Sequence, residues 1–240
     1  MKRLTESILQ ETATLPEGTP ITAKMWLHLG NRAALDQALS RLARRGKLLR
    51  AGRGVYVAPV ASRFGNRAPA VQKVVEELSI QRGETIVPSG ASAANALGLT
   101  TQVPTRTVYL TSGRSRKITL GKQIVHLQHA PAWQLTLAKE PAGEILRALA
   151  WVGPEGINQA LKEIGVKVPR SEFQRISQQS SLLPLWMASA LSQAIHCALP
   201  ANDQVPLVKN IAAPALSGPY GNLVDKAGDS GHDKYRGRGR

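Results

Sequence analysis

The run Asn31-Arg32-Ala33-Ala34-Leu35-Asp36-Gln37-Ala38-Leu39-Ser40-Arg41-Leu42-Ala43-Arg44-Arg45-Gly46 decides how the chain is read. Leu35, Ala38, Leu39 and Leu42 recur at i, i+3, i+4 and i+7, the spacing of one apolar stripe on an amphipathic helix. The opposite side carries Ala33, Gln37, Ser40, Arg41 and Arg44. Asn31 is a residue type whose side chain accepts from an amide of the first turn, and Gly46 suits the left-handed stop at the other end. The spacing therefore predicts a basic helix with one buried and one exposed face.

The flanks extend this unit in both directions. Upstream, Leu4 to Thr12 reads as a short helix closed by Leu15-Pro16-Glu17-Gly18, and Thr22 is placed to cap a helix through Met25, Trp26 and Leu29, ended by Gly30. Downstream, Lys47 to Ala51, the turn Gly52-Arg53-Gly54 and Val55 to Ala58 read as a hairpin before Pro59. Helix, helix, glycine turn, basic helix and basic-tipped hairpin is the order of a winged helix-turn-helix, predicted over residues 1–59. A major groove about 12 Å wide admits a helix whose side chains reach base edges. The candidate DNA-binding residues are Asn31 at the helix entrance, with Ala33, Gln37, Ser40, Arg41 and Arg44 facing the bases. Arg32, Arg45, Lys47, Arg50 and Arg53 would serve as phosphate or wing contacts. A solvated basic helix with an ordinary hairpin, or a winged helix used for protein contact, is the alternative.

Composition agrees with a polyanionic partner. The 240 residues hold 31 Lys+Arg against 16 Asp+Glu, a net charge of +15 that folding itself does not require. By segment, residues 1–59 carry ten basic and four acidic side chains, 60–131 nine and three, and 132–240 twelve and nine. No run approaches the roughly 18 to 20 apolar residues of a spanning helix, and Met1-Lys2-Arg3-Leu4-Thr5-Glu6 lacks an apolar secretory segment, so a soluble cytoplasmic protein with no membrane partner is expected. A single cysteine, Cys197, excludes an intrachain disulfide and a Cys-rich metal module. Four Trp, four Tyr and two Phe, spread along the chain, argue against a stacking platform for single-stranded RNA.

Beyond the winged unit, residues 60–69 are poor in apolar side chains and read as a linker. Val71, Val74, Val75 and Leu78 give a helical stripe ending at Gly83, Thr85 to Val87 a strand, and Ser89 to Leu97 an alanine-rich helix stopped by Gly98. Thr105 to Thr111, Lys117 to Leu120 and Gln123 to Leu127 are β-like, the last two joined by the hairpin signal Gly121-Lys122. Pro141 to Val152, Glu155 to Ile164, Ser171 to Gln179 and Leu185 to Leu199 read as helices. The expected fold class is α+β: the winged helix-turn-helix, then a mixed α/β domain over 70–199 with a mainly antiparallel sheet and C-terminal helices. Residues 200–240, rich in glycine and proline and ending Arg236-Gly237-Arg238-Gly239-Arg240, read as a flexible basic tail.

Three blocks in this order carry a likeness to a known family. They are Ala38-Leu39-Ser40-Arg41-Leu42-Ala43-Arg44-Arg45-Gly46-Lys47-Leu48, then Arg53-Gly54-Val55-Tyr56-Val57-Ala58-Pro59, then Ala96-Leu97-Gly98-Leu99-Thr100-Thr101-Gln102-Val103-Pro104 leading into Val108-Tyr109-Leu110-Thr111-Ser112-Gly113. Over residues 20–130 the chain resembles the AbiE-type abortive-infection antitoxins of type IV toxin-antitoxin systems. The resemblance implies a winged helix that binds operator inverted repeats in double-stranded DNA and represses its own operon. It also implies a C-terminal domain that counteracts a nucleotidyltransferase toxin, with direct binding of that toxin not required. A plain repressor, or a module that sequesters a toxin directly, is the competing reading.

The residues offer little for catalysis, so no enzyme activity, cofactor or metal is expected. His126 and His129 form H-x-x-H, but an odd separation on a strand sends the side chains to opposite faces. Between Gly113 and Gly121 lie seven residues where a phosphate loop has four, and Gln123 stands at the Ser/Thr position. Ser89-Gly90-Ala91-Ser92 is no nucleophile elbow, and Glu76, Glu77 and Glu84 form no paired-carboxylate pattern with a lysine. Cys197, beside His196, reads as a buried structural thiol. A second basic cluster, Arg114, Arg116, Lys117 and Lys122, fits a solvated sheet rim, a further contact to the same DNA, or a surface for RNA or an acidic partner.

Overall fold

A computed structural model describes residues 3–63 and 65–197. The predicted tail over 200–240 and the side chain of Cys197 lie outside the described residues. The first helix, α1, spans Leu4–Thr12 and buries Ile8. After the Pro16–Gly18 turn, a single 3-10 turn, Ala23–Trp26, stands where the sequence predicts a helix from Thr22 to Leu29. Its hydrogen bonds, Met25 N–H to Thr22 O and Leu29 N–H to Trp26 O, reach only three residues back, and Thr22 makes no side-chain cap.

Helix α2, Arg32–Arg44, forms as its pattern dictates. The Asn31 Oδ1 accepts from the Ala34 amide at 2.9 Å, and Gly46 takes a φ of 68° past the C-terminus. Leu35, Ala38, Leu39 and Leu42 are buried against Ile8, Ile21, Trp26, Leu48 and Tyr56, so each leucine contributes roughly 1.5–3 kcal/mol. Strands β1, Leu49–Gly52, and β2, Val55–Val57, then pair antiparallel with Arg53 and Gly54 at the tip. Ile21 adds a bridge to Tyr56, its amide donating to the Tyr56 carbonyl at 2.7 Å. The helical elements and hairpin are thus closed around one core in the arrangement of a winged helix-turn-helix.

The linker expected over 60–69 is instead a second hairpin. β3, Val60–Ser62, pairs antiparallel with β4, Gly65–Arg67, and the Ser62 hydroxyl donates to the Gly65 carbonyl at 2.6 Å. Every residue of β3 and β4 except Val60 is exposed, so its polarity reports solvent contact rather than lack of structure. Glu17 fastens the far end of this hairpin. Its carboxylate accepts from the Ala70 amide at 3.2 Å and lies 3.8 Å from Arg67 and 3.6 Å from Lys73. Gly18, at φ 91°, comes so near that a Cβ would sit 2.8 Å from the Lys73 backbone, so only glycine fits this approach.

Helix α3, Val71–Arg82, ends on Gly83, and β5, Ile86–Pro88, leads to α4, Gly90–Ala96, capped by Ser89. Then follow β6, Thr107–Thr111, β7, Arg116–Leu120, and β8, Gln123–His129. The sheet order is β5-β6-β8-β7, in which β5/β6 and β8/β7 are antiparallel and β6/β8 is parallel. Two of its three pairings are antiparallel. One face packs under α3 and the β1–β2 hairpin, joining Ala51 and Val57 to Val74, Leu78, Ile118, Leu120, Val125 and Leu127 in one core.

A helical layer follows among the described residues: α5, Ala132–Leu135, α6, Pro141–Gly165, α7, Arg170–Ser177, and α8, Leu185–Cys197. The two helices predicted for 141–164 meet end to end in α6, kinked at Gly153 (φ 80°, ψ 179°) before Pro154. The proline ring begins the second segment, where its missing N–H costs nothing. α4 packs on α6, and Ile145, Leu146, Leu149, Phe173, Met187 and Leu191 are among the buried residues of this second core.

Candidate nucleic-acid interface

At about 100° per residue, Ala33, Gln37, Ser40 and Arg44 stand opposite the buried stripe of α2, with Arg41 on the flank. Ala33, Gln37, Arg41 and Arg44 are exposed and Ser40 is half-buried. Neither Arg41 nor Arg44 is in an ion pair among the described residues. Asn31 is also exposed, with its side-chain oxygen occupied by the cap. Arg32 lies 3.7 Å from Asp36 on the same helix, a pair too open to water to hold it firmly. Arg45 and Lys47 continue the exposed charge past the helix end, and the Arg50 Nε donates to the Gly52 carbonyl at 3.4 Å, bracing the wing.

The tip of the wing lies near the start of α2, since Arg53 and Gly54 share a cavity wall with Arg32 and Asp36. Lys24, Arg32, Asp36, Arg53, Gly54 and Arg82 are among the walls of one cavity of about 570 Å³. A second cavity of about 310 Å³ shares Arg53 and Arg82 and adds Arg116 and Lys117. The two outline a concave surface with six cations.

Only part of that charge is free. The Glu84 carboxylate accepts from Arg116 Nη2 at 2.6 Å and from the Thr111 hydroxyl at 3.1 Å, with Arg82 at 4.0 Å. The second basic cluster of the sequence is therefore divided. Arg116 is neutralised in the fold, Lys117 is exposed beside the wing, and Lys122 occupies the β7–β8 turn. Lys24 and Arg82 escaped the sequence reading. Each stands outside the dense Arg32–Arg53 window, and only the packing of α3 against the N-terminal unit brings Arg82 there, where Gln81 Nε2 donates to the Pro20 carbonyl at 2.9 Å.

His126 and His129 fall at alternate faces of β8, and the His129 Nδ1 lies 2.9 Å from the Gly113 carbonyl. No helix among the described residues is long and apolar enough to cross a membrane.

A model of DUF6088, a family of unknown function, matches residues 7–177. The chain belongs to the DUF6088 family. No curated protein and no solved structure matches the chain. In this DUF6088 chain the matched span includes most of the winged unit, the sheet and most of the helical layer, so the basic surface lies wholly within it.

Proposed function

We propose that this DUF6088 protein is a non-enzymatic, sequence-specific DNA-binding repressor of its own operon, acting in the cytoplasm. The observation that carries the reading is the exposed face of α2, where Gln37, Arg41 and Arg44 project together while Arg53 of the wing closes on Arg32. Gln37 suits adenine and the two arginines suit guanine or phosphate, with Arg53, Lys47, Arg82 and Lys117 gripping the backbone on either side. The likeness to AbiE-type antitoxins supports a second role for the remainder of the chain, counteracting a nucleotidyltransferase toxin.

Binding of the full chain to its own promoter, measured by fluorescence anisotropy, tests the first part. If about six phosphates are neutralised, affinity falls roughly a thousandfold between 50 and 200 mM salt. Salt-independent binding, or an Arg41→Ala, Arg44→Ala double variant that binds the promoter as well as wild type, overturns it. The antitoxin role is tested separately by co-expression with the nucleotidyltransferase encoded beside it, if one is present; growth that the DUF6088 protein does not restore rejects that role while leaving the repressor intact.

A further inference from the structure

Four cations from four parts of the chain meet around one cavity. Lys24 comes from the 3-10 turn, Arg32 from the first turn of α2, Arg53 from the wing tip and Arg82 from the end of α3, and all wall the cavity of about 570 Å³. Arg32 and Arg82 keep 66% and 40% of their side chains open to solvent, and Lys24 and Arg53 are likewise exposed, so these charges face water rather than the interior. Neither Lys24 nor Arg53 is in an ion pair among the described residues. Asp36, 3.7 Å from Arg32, is the one acid on this wall, and Glu84, 4.0 Å from Arg82, stands outside it and is engaged with Arg116. Four positive charges thus oppose one negative, an excess of three. Like charges gathered around a concave surface repel one another, and an anion seated among them relieves that cost.

The remaining walls suit a small molecule. Met25 and Val55 offer half-buried apolar surface, and Thr22 offers a hydroxyl. Gln81 Nε2 is held by the Pro20 carbonyl at 2.9 Å, which fixes the amide and leaves Oε1 as an acceptor. The volume falls within the roughly 300–1,000 Å³ of small-molecule sites, far more than one backbone phosphate of a duplex requires. A single phosphate brings about 1.5 to 2 negative charges, fewer than the excess on the wall, whereas two in line neutralise it.

We propose that this cavity binds a small molecule bearing a diphosphate group, held by Lys24, Arg32, Arg53 and Arg82, and that its binding releases the promoter by withdrawing Arg53 and Arg82 from the DNA backbone. The release rests on the DNA-binding reading above; the occupation of the cavity does not. The guanidinium forks match phosphate oxygens in bidentate geometry, and Lys24 adds a point charge. In a nucleoside diphosphate the base would lie against Met25 and Val55, its exocyclic amine donating to Gln81 Oε1.

The full chain in metal-free buffer is titrated by isothermal calorimetry with pyrophosphate, adenosine 5′-diphosphate and adenosine, with sulfate as the control anion and sodium chloride holding ionic strength constant. Pyrophosphate and adenosine 5′-diphosphate should bind once per chain, at least about tenfold more tightly than sulfate or adenosine. If adenosine 5′-diphosphate is the tighter of the two, the ligand is a nucleotide; if pyrophosphate is equal or tighter, it is the diphosphate alone. Lys24→Gln should weaken pyrophosphate binding about tenfold, as for loss of a hydrogen bond between charged groups, without lowering the ligand-free melting temperature. Lys122→Gln removes an equal charge from the exposed β7–β8 turn, off the cavity wall, and should bind pyrophosphate like wild type. The cavity assignment is overturned if pyrophosphate binds no more tightly than sulfate, if Lys24→Gln binds it like wild type, or if Lys122→Gln weakens it as much. By anisotropy at the same ionic strength, pyrophosphate at ten times its own Kd should raise the promoter Kd about tenfold. An unchanged promoter Kd overturns the release alone. A chain that takes pyrophosphate but no promoter DNA rejects the repressor reading, and the release with it, and leaves the cavity assignment standing.

Discussion

Arg32, in the first turn of α2, and Arg53, at the tip of the hairpin, wall the same cavity although they stand 21 positions apart in the chain. Their meeting places the wing cation beside the helix that would enter the groove. Arg53→Gln should therefore weaken binding to all DNA sequences alike and reduce the slope of log K against log salt by about 0.9 for the one phosphate lost. Anisotropy titrations at four salt concentrations on operator and scrambled DNA measure both effects.

Gln37 and Arg44 project from the middle of the exposed face of α2, so their loss should be selective. Gln37→Ala or Arg44→Ala should cost about 1–3 kcal/mol on the operator and much less on scrambled DNA. An equal loss on both would assign these residues to phosphate.

Arg82 and Lys117 extend the basic surface from the wing onto α3 and the edge of the sheet. The pair Arg82→Gln, Lys117→Gln should lower the salt slope by up to about 1.8 and shorten the hydroxyl-radical footprint on one side, with sequence preference unchanged. Since Arg116 is committed to Glu84, Arg116→Gln should act through stability instead. Removing a hydrogen bond between charged groups at this half-buried site should cost about 1.5–3 kcal/mol, read from the urea midpoint.

The Glu144 carboxyl gives a pH signature. Its folded value, pushed up to about 7 by burial despite the nearby Arg147 cation, lies above the ordinary 4.5, so the folded state holds this proton more tightly than the unfolded chain. Its contribution to stability is therefore fully present below about 4.5 and is lost as pH rises through about 7. Glu144→Gln should remove that part of the slope. Urea midpoints of wild type and variant at pH 5 and pH 8 isolate it as a double difference.

Local chemistry made much of the fold legible. The ends of α1 and the Asn31 cap follow from residue types that act within one helical turn, and the face of α2 follows from a stripe whose period is its own evidence. What escaped depends on distant parts of the chain. Nothing in residues 60–67 marks a hairpin, because its strands bury almost nothing and lack the alternation that burial imposes. Glu84 is an ordinary acid until β7 brings Arg116 to it. Arg82 became a neighbour of the wing only through the contact of α3 with Pro20, and Lys24 through the bridge between Ile21 and Tyr56. The buried Arg147 of α6 was visible in principle, as a lone cation set in Ile145-Leu146-Arg147-Ala148-Leu149, but an apolar neighbourhood alone does not tell a buried guanidinium from one that reaches water along the helix.

The core that Ala51 and Val57 share with Ile118 and Leu120 makes the hairpin a lining of the sheet as well as the wing of the N-terminal unit. Cutting the chain after residue 59 would strip one side of that lining, leaving apolar surface in water and Glu17 without Arg67 and Lys73. The winged unit is thus not a portable cassette. A graft of residues 1–59 onto another protein should fold poorly, whereas one extended through the helical layer should keep its shape, and insertions that separate the wing from β7 should be tolerated least of any in the first half of the chain.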